Sequence, residues 1–565
     1  MNQTIDCLFI GHNEMDFVEY ERQVRKMGVD SGAYRDLNLN FIWYNNTPYP
    51  VSEIFNSFYC KGGGRKNLTP PLRMTEVFSP AIAYLGSYLH RRGIDFDYVN
   101  SFQSEKDQLQ EKLIKDKIRA IAIITTFYVS VFPILEIMNF LRRYNSSAKI
   151  ILGGPFVANQ VRTQDEKALQ YLFNTIGADF YVNSSQGEAT LVKILHALKN
   201  NLPVGQINNI HYKNDGNSEN RYLATPSLAE NNPLQQNVVN WDLFAHMLGK
   251  SVNVRTSISC PFSCDFCGFP QQAGKYQTVD PEAVEIELNQ LSKIDSVTSV
   301  QFIDDTFNVP QGRFKEILRR MIKNKYPFRW HSHFRCQFAD QETVELMKES
   351  GCEGVFLGIE SGSDQMLANM NKAVTVHQYL RGIQWLKTYD IPIYGSFIIG
   401  FPGETEQSVR DTIKFIKESG IDFYRAQLWY CKTGTPVWLK RDKYKIEGES
   451  FQWRHKTMNY TEAADLIDEI FLSLEEPVWV PQYNFECDGL FHLLHRGLTL
   501  DQVKRFINGF NQGIKEKLIN RSPRQEISFE AITHIKEVLG DQRSEDATSG
   551  VGKDGFDKYE AEFDL

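Results

Sequence analysis

The sequence predicts an α/β protein in three parts: a doubly wound parallel sheet, a partial (β/α)6 barrel and a helical C-terminal region. Three observations carry this. Between about residues 40 and 200 short β-rich runs alternate with longer helical ones, the rhythm of strands joined by crossover helices. The rhythm restarts at Val252 and continues through six strands, enough for an incomplete barrel with its site at the C-terminal strand ends. After about Trp453 the periodicity becomes helical.

In order along the chain, Leu39 to Tyr44 reads as a strand, and Pro80 to Arg92 as a helix closed by Gly93. A strand at Phe96–Val99, a helix near Leu109–Lys115 and a strand at Ile118–Ile124 follow. Helix Phe132–Tyr144, strands Lys149–Leu152 and Ala178–Val182, and helix Ala189–Leu198 complete a Rossmann-like domain, placed at 1–213. The polar run from Asn214 to Asn237, rich in turn formers, reads as a connector over 214–250. Barrel strands are expected at Val252–Ile258, Ser299–Ile303, Phe328–Arg335, Gly354–Gly358, Ile393–Ile399 and Phe423–Tyr430, within 251–452. Asp280-Pro281 opens one of the intervening helices as an N-cap followed by proline. Helices at Thr461–Leu474 and Leu500–Asn511 mark a C-terminal domain over 453–540, and 541–565 reads as a mobile acidic tail.

Length and composition set the limits. A chain of 565 residues holds roughly three or four folding units at ~100–200 residues each. With 42% hydrophobic and 23% charged residues it is globular rather than disordered. The net charge of −8, without a basic block, argues against a nucleic-acid partner. No apolar run reaches the ~18–20 residues that span a bilayer, and the start has no secretory pattern, so the expected location is the cytoplasm.

Nine cysteines in such a chain are no disulfide framework, yet three of them crowd into Cys260-Pro-Phe-Ser-Cys264-Asp-Phe-Cys267, directly after the first barrel strand. Three thiolates in one tight loop can hold three irons of a [4Fe–4S] cube and leave the fourth open to a ligand. A structural zinc would need a fourth ligand, for which His331 and His333 lie about seventy residues on.

This segment resembles the radical S-adenosylmethionine (SAM) superfamily, whose signature is C-x3-C-x2-C with an aromatic residue before the last cysteine, here Phe266. The resemblance spans roughly Asn253 to Thr435 and implies that the open iron binds SAM and that Phe266 packs near its adenine. Asp304 and Asp305, ending the second barrel strand, are then expected to accept hydrogen bonds from the SAM ammonium group. Arg335, ending the third, suits its carboxylate. Glu360, in Gly358-Ile-Glu-Ser-Gly362, is expected at the ribose, and Gly400 and Gly403 let the backbone approach the adenine.

Three loops of the first domain follow strands and share the sheet's C-terminal edge, where doubly wound folds bind ligands. They carry Thr125, Thr126 and Ser130; Gly153, Gly154 and Pro155; and Gln186, Gly187 and Glu188. With Pro80-Ala-Ile-Ala-Tyr-Leu they resemble the cobalamin-binding domain found upstream of many radical SAM domains. That resemblance implies cobalamin as a third cofactor, held at these nine positions. The D-x-H-x-x-G ligand motif of many cobalamin proteins is absent. His12, in Ile10-Gly-His-Asn-Glu, is the nearest candidate and lacks the carboxylate that supports a ligating imidazole, so no histidine is expected below the cobalt.

The function implied is a cobalamin-dependent radical SAM methyltransferase acting on an unactivated carbon or a phosphinate phosphorus. Ile10–Glu14, Ser31–Asn40 and Cys267–Tyr276 are similar to the phosphinothricin-type P-methyltransferases and their natural-product relatives. Expected partners are a small-molecule or peptide-like substrate and an external electron donor such as flavodoxin or ferredoxin. Tyr430, Trp453 and His455, just past the last strand, are candidate substrate-site residues. The alternatives are a non-methylating oxidation, cyclisation or rearrangement with the same cofactors, and a non-catalytic cobalamin sensor. A methylthiotransferase would need extra N-terminal cysteines, and only Cys7 and Cys60 precede the barrel.

Overall fold

The computed structural model describes residues 4–60, 71–73, 77–214, 221–483, 485 and 487–540. The tail expected at 541–565 lies outside the described residues. The first sheet begins with β1 (Thr4–His12), ahead of the place where the hydrophobic rhythm becomes visible. Its apolar run is buried from Ile5 to Gly11, as a strand covered on both faces must be.

The next pair, β2 (Phe41–Tyr44) and β3 (Thr47–Pro50), is an antiparallel hairpin outside that sheet. So Phe41–Tyr44 is a strand, but not a strand of the Rossmann-like domain. It packs on helix Leu500–Ile519, whose Lys517 Nζ donates to the carbonyls of Asn38 (2.8 Å) and Phe41 (2.6 Å). The amide of Ile527 donates to the Trp43 carbonyl. The segment after β1 therefore belongs spatially with the C-terminal helices.

The sheet resumes with β4 (Phe96–Ser101), β5 (Lys117–Ile124), β6 (Lys149–Gly153), β7 (Phe180–Val182), β8 (Ile210–Lys213) and β9 (Tyr222–Ala224). Its order is β4-β1-β5-β6-β7-β8-β9, parallel through β7 and antiparallel beyond. The five parallel strands follow the flavodoxin-like 2-1-3-4-5 arrangement. The connector contributes the outermost strand, β9, and then a short turn that buries Trp241.

The second sheet contains β10 (Ser251–Val254), β13 (Ser299–Phe302), β14 (Arg329–His333), β15 (Cys352–Glu360), β16 (Ile393–Ile399), β17 (Phe423–Leu428) and β21 (Val478–Trp479), all parallel and in that order. Two small sheets interrupt it, β11 (Ser257–Ile258) with β12 (Gln277–Thr278), and β18 (Glu447–Glu449) with β19 (Gln452–His455) and β20 (Met458–Asn459). The seventh strand, β21, lies inside the stretch read as helical; at two residues it leaves no alternation to detect.

Helices cover the outside of this sheet. Gln311–Asn324, for example, buries Phe314, Ile317, Leu318 and Met321 at helical spacing. Many of the inward positions are polar. Register sets Asn253 beside Gln301 and His331, and His333 beside Phe356 and Tyr394. Asn253, His333, Phe356 and Gln427 are half-buried while their outward neighbours are fully buried, so the barrel interior is not filled as in a complete barrel.

Candidate functional site

The three-cysteine loop leaves β11 through Ser259, which adopts a left-handed conformation (φ 69°) unusual for a residue with a side chain. The loop is fastened on two sides. Asp265 N donates to Met370 O (2.8 Å) and Asn371 Nδ2 to Ser263 O (2.8 Å). On the other side Val437 N donates to Asp265 O (2.9 Å), and Lys440 forms an ion pair with Asp265. Within it the Cys267 amide reaches Cys264 O (3.1 Å), which curls the chain tightly around the thiols.

Burial raises the pKa of all three thiols; that of Cys267 is pushed up to about 11, and Cys260 and Cys264 both act on it. The sulfurs thus face one space, in which bound cations would favour the thiolates. Among the described residues no three His, Cys, Asp or Glu side chains converge on the position of a single metal ion. Three thiols in one loop are the donor set that a [4Fe–4S] cluster with one open iron requires, one short of a closed zinc site.

The two aspartates are not equivalent. Asp304 is buried and accepts four hydrogen bonds, from Thr256 N (2.9 Å), Thr256 Oγ1 (2.6 Å), Ser257 N (2.5 Å) and Ser257 Oγ (2.7 Å). It pegs the junction from which the cysteine loop departs, with its lone pairs used inside the protein. Asp305 faces outward toward Cys260 and Cys267, its carboxyl pushed up to about 6 by burial and by the Asp304 charge.

Arg335 lays its guanidinium 3.6 Å over the Phe262 ring and donates to Lys372 O (2.6 Å), tying the cysteine loop to β15's following segment. Glu360 has φ 69° and pairs with Lys372 Nζ at 2.7 Å, both side chains buried. Gly358 permits this, because a Cβ there would stand 2.6 Å from Glu360 Oε1. Lys372 Nζ also sits 5.3 Å above the Phe266 ring, and Phe401 approaches that ring edge-on at 6.5 Å. The structure therefore gathers Phe266, Arg335 and Glu360 around the triad.

Gly400 (φ 90°) and Gly403 (φ 94°) bracket a turn whose Glu404 is fully buried, accepts from the Gly400 amide and is pushed up to about 8 by burial. Trp453 and His455 lie beneath this turn. A Cβ on Gly400 would stand 2.4 Å from Trp453, and His455 Nε2 contacts Gly400 O at 3.0 Å while its ring stacks on Trp453. Both residues thus shape a loop from behind. Tyr430 is 50% exposed, packs edge-on against Phe451 and donates to Ser450 Oγ (3.2 Å).

Between the two sheets lies a cavity of about 490 Å³. The first domain lines it with Thr126, Gly153, Gly154, Pro155, Gln186, Gly187 and Glu188, and the barrel with Ser259, Asp304 and Asp305 among others. Thr125 stands behind rather than in it. Its hydroxyl donates to Gly153 O (2.8 Å), and Gly154 (φ 114°) has no room for a Cβ beside it. Ser130 is not among the lining residues. Neither is His12, whose ring stacks on Tyr128 and is kept neutral by burial, its pKa lowered to about 4.

Sequence reasoning reached Tyr84 only as part of the Pro80–Leu85 motif and missed Asn253, Arg255 and Ser259, which line the same cavity. Arg255 on the barrel side lies 4.3 Å over the ring of Tyr84, from helix Pro80–His90. Arg255 Nη2, Tyr84 Oη, Asn253 Oδ1 and Ser259 Oγ are buried without hydrogen-bond partners, and all four residues line the cavity. Buried polar atoms are rarely left so unless water, an ion or a ligand meets them. Glu287, also in the lining, accepts from Trp241 Nε1 (2.9 Å) and is pushed up to about 8 by burial. A glutamate between Val284, Leu288 and Leu291 on one helix face was the signal available in the sequence.

Comparison with known proteins matches residues 254–416 to the radical SAM superfamily. An uncharacterised methyltransferase of Pyrococcus horikoshii is 29% identical over 360 residues, 61% of this chain and 74% of its own. The bacteriochlorophyllide d C-12(1)-methyltransferase of Chlorobaculum tepidum is 30% identical over 207 residues, 36% of this chain and 44% of its own. Among solved structures, the radical SAM methyltransferase TsrM of Kitasatospora setae, with cobalamin and a [4Fe–4S] cluster bound, superposes with a TM-score of 0.54. It is 17% identical and the match covers 65% of this chain and 75% of TsrM. The cobalamin-dependent SAM radical enzyme OxsB, with aqua-cobalamin bound, gives 0.58 at 13% identity, covering 95% and 80%. The two solved structures share this fold, and residues 254–416 form a radical SAM domain.

Proposed function

We propose, from the premise that this chain joins a radical SAM domain to the architecture of cobalamin-dependent radical enzymes, that it is a cobalamin-dependent radical SAM methyltransferase. Its acceptor is an unactivated carbon or a phosphinate phosphorus of a small molecule. The observation that carries this reading is the cavity between the sheets, with four unpartnered polar atoms on one wall, a glycine cradle on the other and Asp305 shared with the cysteine loop. When bound, the [4Fe–4S] cluster and SAM supply a 5′-deoxyadenosyl radical, and the cobalamin carries the methyl group.

The residues present fit these groups. Cys260, Cys264 and Cys267 hold three irons. Asp305 accepts from the SAM ammonium, and Asp304 acts at one remove by fixing the strand end. Arg335 lies on the carboxylate side, Glu360 with its Lys372 partner positions the ribose, and Phe266 and the Gly400–Gly403 turn enclose the adenine. In the cavity Thr126, Gly153, Gly154, Pro155, Gln186, Gly187 and Glu188 contact cobalamin, with Thr125 buttressing Gly153 through its hydroxyl. Tyr84, Asn253, Arg255 and Ser259 bond its polar periphery. No histidine stands among the described lining residues, so none of them would offer cobalamin an imidazole. Walls from both domains would limit the access of water to reactive species.

The test is the cofactor content of anaerobically purified protein made with hydroxocobalamin supplied, read by absorption and EPR, followed by assay with methyl-labelled SAM. About one cobalamin beside one [4Fe–4S] per chain, without histidine-nitrogen splitting of the cob(II)alamin signal, and labelled product are expected. A cluster without cobalamin overturns the methyl-transfer reading; both cofactors with deoxyadenosine but no label in product point to oxidation or rearrangement.

A further inference from the structure

The proposed chemistry leaves the floor of the barrel without a task. Helix Cys487–His495 closes the N-terminal ends of the strands. Its last turn is fastened from below: Lys250 Nζ donates to His495 O (2.9 Å), and His495 Nε2 lies 2.8 Å from Glu353 Oε2. Phe491 packs where Gly354 has no side chain and stacks on the His331 ring at 4.1 Å. The first turn of the helix therefore stands inside the barrel. There Asp488 meets two inward residues, Gln301 Nε2 at 2.5 Å and His331 Nε2 at 3.7 Å, yet its side chain is 34% exposed. Ringed by strand residues, it keeps that exposure toward the space inside the barrel.

The polar groups around this space are not satisfied by one another. Both contacts of Asp488 use Oδ1, and among the described residues none bonds its Oδ2. His331 Nε2 and His333 Nδ1 are buried without a hydrogen-bond partner, since 3.7 Å is too long for one. Burial opposes a charge on His331, but Asp488 and Glu353, the latter 3.0 Å from Nδ1, hold it up to about 9. Burial lowers His333, which stays neutral, and His492 adds its field at Asp488. Phe356 stands edge-on to His333 at 4.8 Å, with Tyr394 beyond it at 5.1 Å.

This arrangement selects against charge of either sign. An ammonium would face the His331 imidazolium and leave its Nε2–H unmet; a carboxylate would face Asp488. A hydroxyl accepts from His331 Nε2, donates to Asp488 Oδ2, and suits His333 Nδ1 in either tautomer. Several hydroxyls on one ring serve all three groups and leave an apolar face for Phe356.

We propose that the barrel floor, at Asp488, His331 and His333, binds an uncharged polyhydroxylated ring, sugar-like or cyclitol-like, carried by the molecule that is methylated. The inference rests on the methyltransferase reading only in calling that molecule the acceptor.

The test uses the full chain with its iron–sulfur cluster and ligand-observed NMR. The probes are myo-inositol, methyl β-D-ribofuranoside and methyl β-D-glucopyranoside, with cyclohexylammonium and cyclohexanecarboxylate as charged rings of similar size. At least one polyol is expected to saturate, and the charged rings are not. Asp488→Ala is expected to weaken polyol binding on the order of ten-fold and His333→Ala several-fold, while Asp295→Ala, at an exposed turn, leaves it unchanged. Iron content and the thermal transition identify a variant that has lost its fold, and the parent's choice among the five probes then decides alone. No saturable polyol, equal binding by the parent and both folded variants, or preferred binding of the ammonium or the carboxylate overturns the proposal. Polyol binding by a chain that takes up no cobalamin keeps this inference and removes the methyl-transfer reading. Both cofactors without polyol binding removes this inference alone.

Discussion

The two seven-stranded sheets start from similar βα patterns and treat their side chains in opposite ways. In the first, β5 packs Ile118, Ala120, Ile121, Ala122 and Ile123 into the core on both faces, so the sheet is a dry partition and can bind only at its edge. In the second, the outward side chains are equally apolar, but Asn253, Gln301, His331 and His333 point inward along neighbouring strands. Curling the sheet turns one face into a polar lumen. The difference leaves the first sheet only its rim to offer a ligand, while the second can also take a small polar molecule inside.

That contrast breaks most sharply if each side loses its own group. Cys264→Ala is expected to abolish the iron–sulfur absorption and SAM cleavage while cobalamin still binds. Gly154→Val is expected to do the reverse. A Cβ at φ 114°, 2.9 Å from Thr125 Oγ1, costs about 1–3 kcal/mol and closes the cradle while the cluster remains. Iron and cobalamin content of the two purified variants check this pair, and loss of both groups in either variant would show the domains to be one cooperative site.

A smaller effect comes from the acid in the cavity wall. Glu287 is pushed up to about 8 by burial, from the 4.5 of an ordinary glutamate. The folded state therefore holds a proton that the unfolded chain releases, and stability is lost as pH rises from about 4.5 toward 8. Glu287→Gln keeps an acceptor for Trp241 Nε1 and removes this titration. The variant is expected to be more stable than the parent at pH 8, by about 1–3 kcal/mol, with little difference at pH 5. Urea unfolding at the two pH values checks the sign; equal parent and variant at pH 8 would place the carboxyl in water.

The smallest change is expected at Tyr430→Phe. Half-exposed and bonded only to Ser450 Oγ, this tyrosine contributes within about 0.5 kcal/mol, and deoxyadenosine formation should match the parent. A large drop in product methylation with unchanged SAM cleavage would bring Tyr430 into contact with substrate.

How legible these features were depends on the range of the interactions involved. Helix Phe132–Tyr144 could be read to the residue, because its apolar stripe and following polar turn are local. The cysteine triad was equally plain, since eight consecutive residues contain it. β1 escaped because it lies at the beginning of the chain, without a preceding turn to frame it. Phe41–Tyr44 was correctly seen as extended, yet nothing local says that its partner is β3 rather than the sheet. Asp304 and Asp305 are neighbours with the same side chain; only Thr256 and Ser257, arriving from another strand, make one a peg and leave the other free.

By itself the sequence determined the element types, the order of the two βα units and the three-cysteine loop, all of which rest on short-range periodicity and spacing. Only the tertiary structure decided that the segment after β1 docks on the C-terminal helices, and that Trp453 and His455 support a turn. It alone brought Tyr84 to Arg255 across the domain boundary. Their ring contact at 4.3 Å joins side chains far apart in the chain. Such a pairing is set by how two curved sheets pack, and packing is a property of the whole assembled surface rather than of any run of residues.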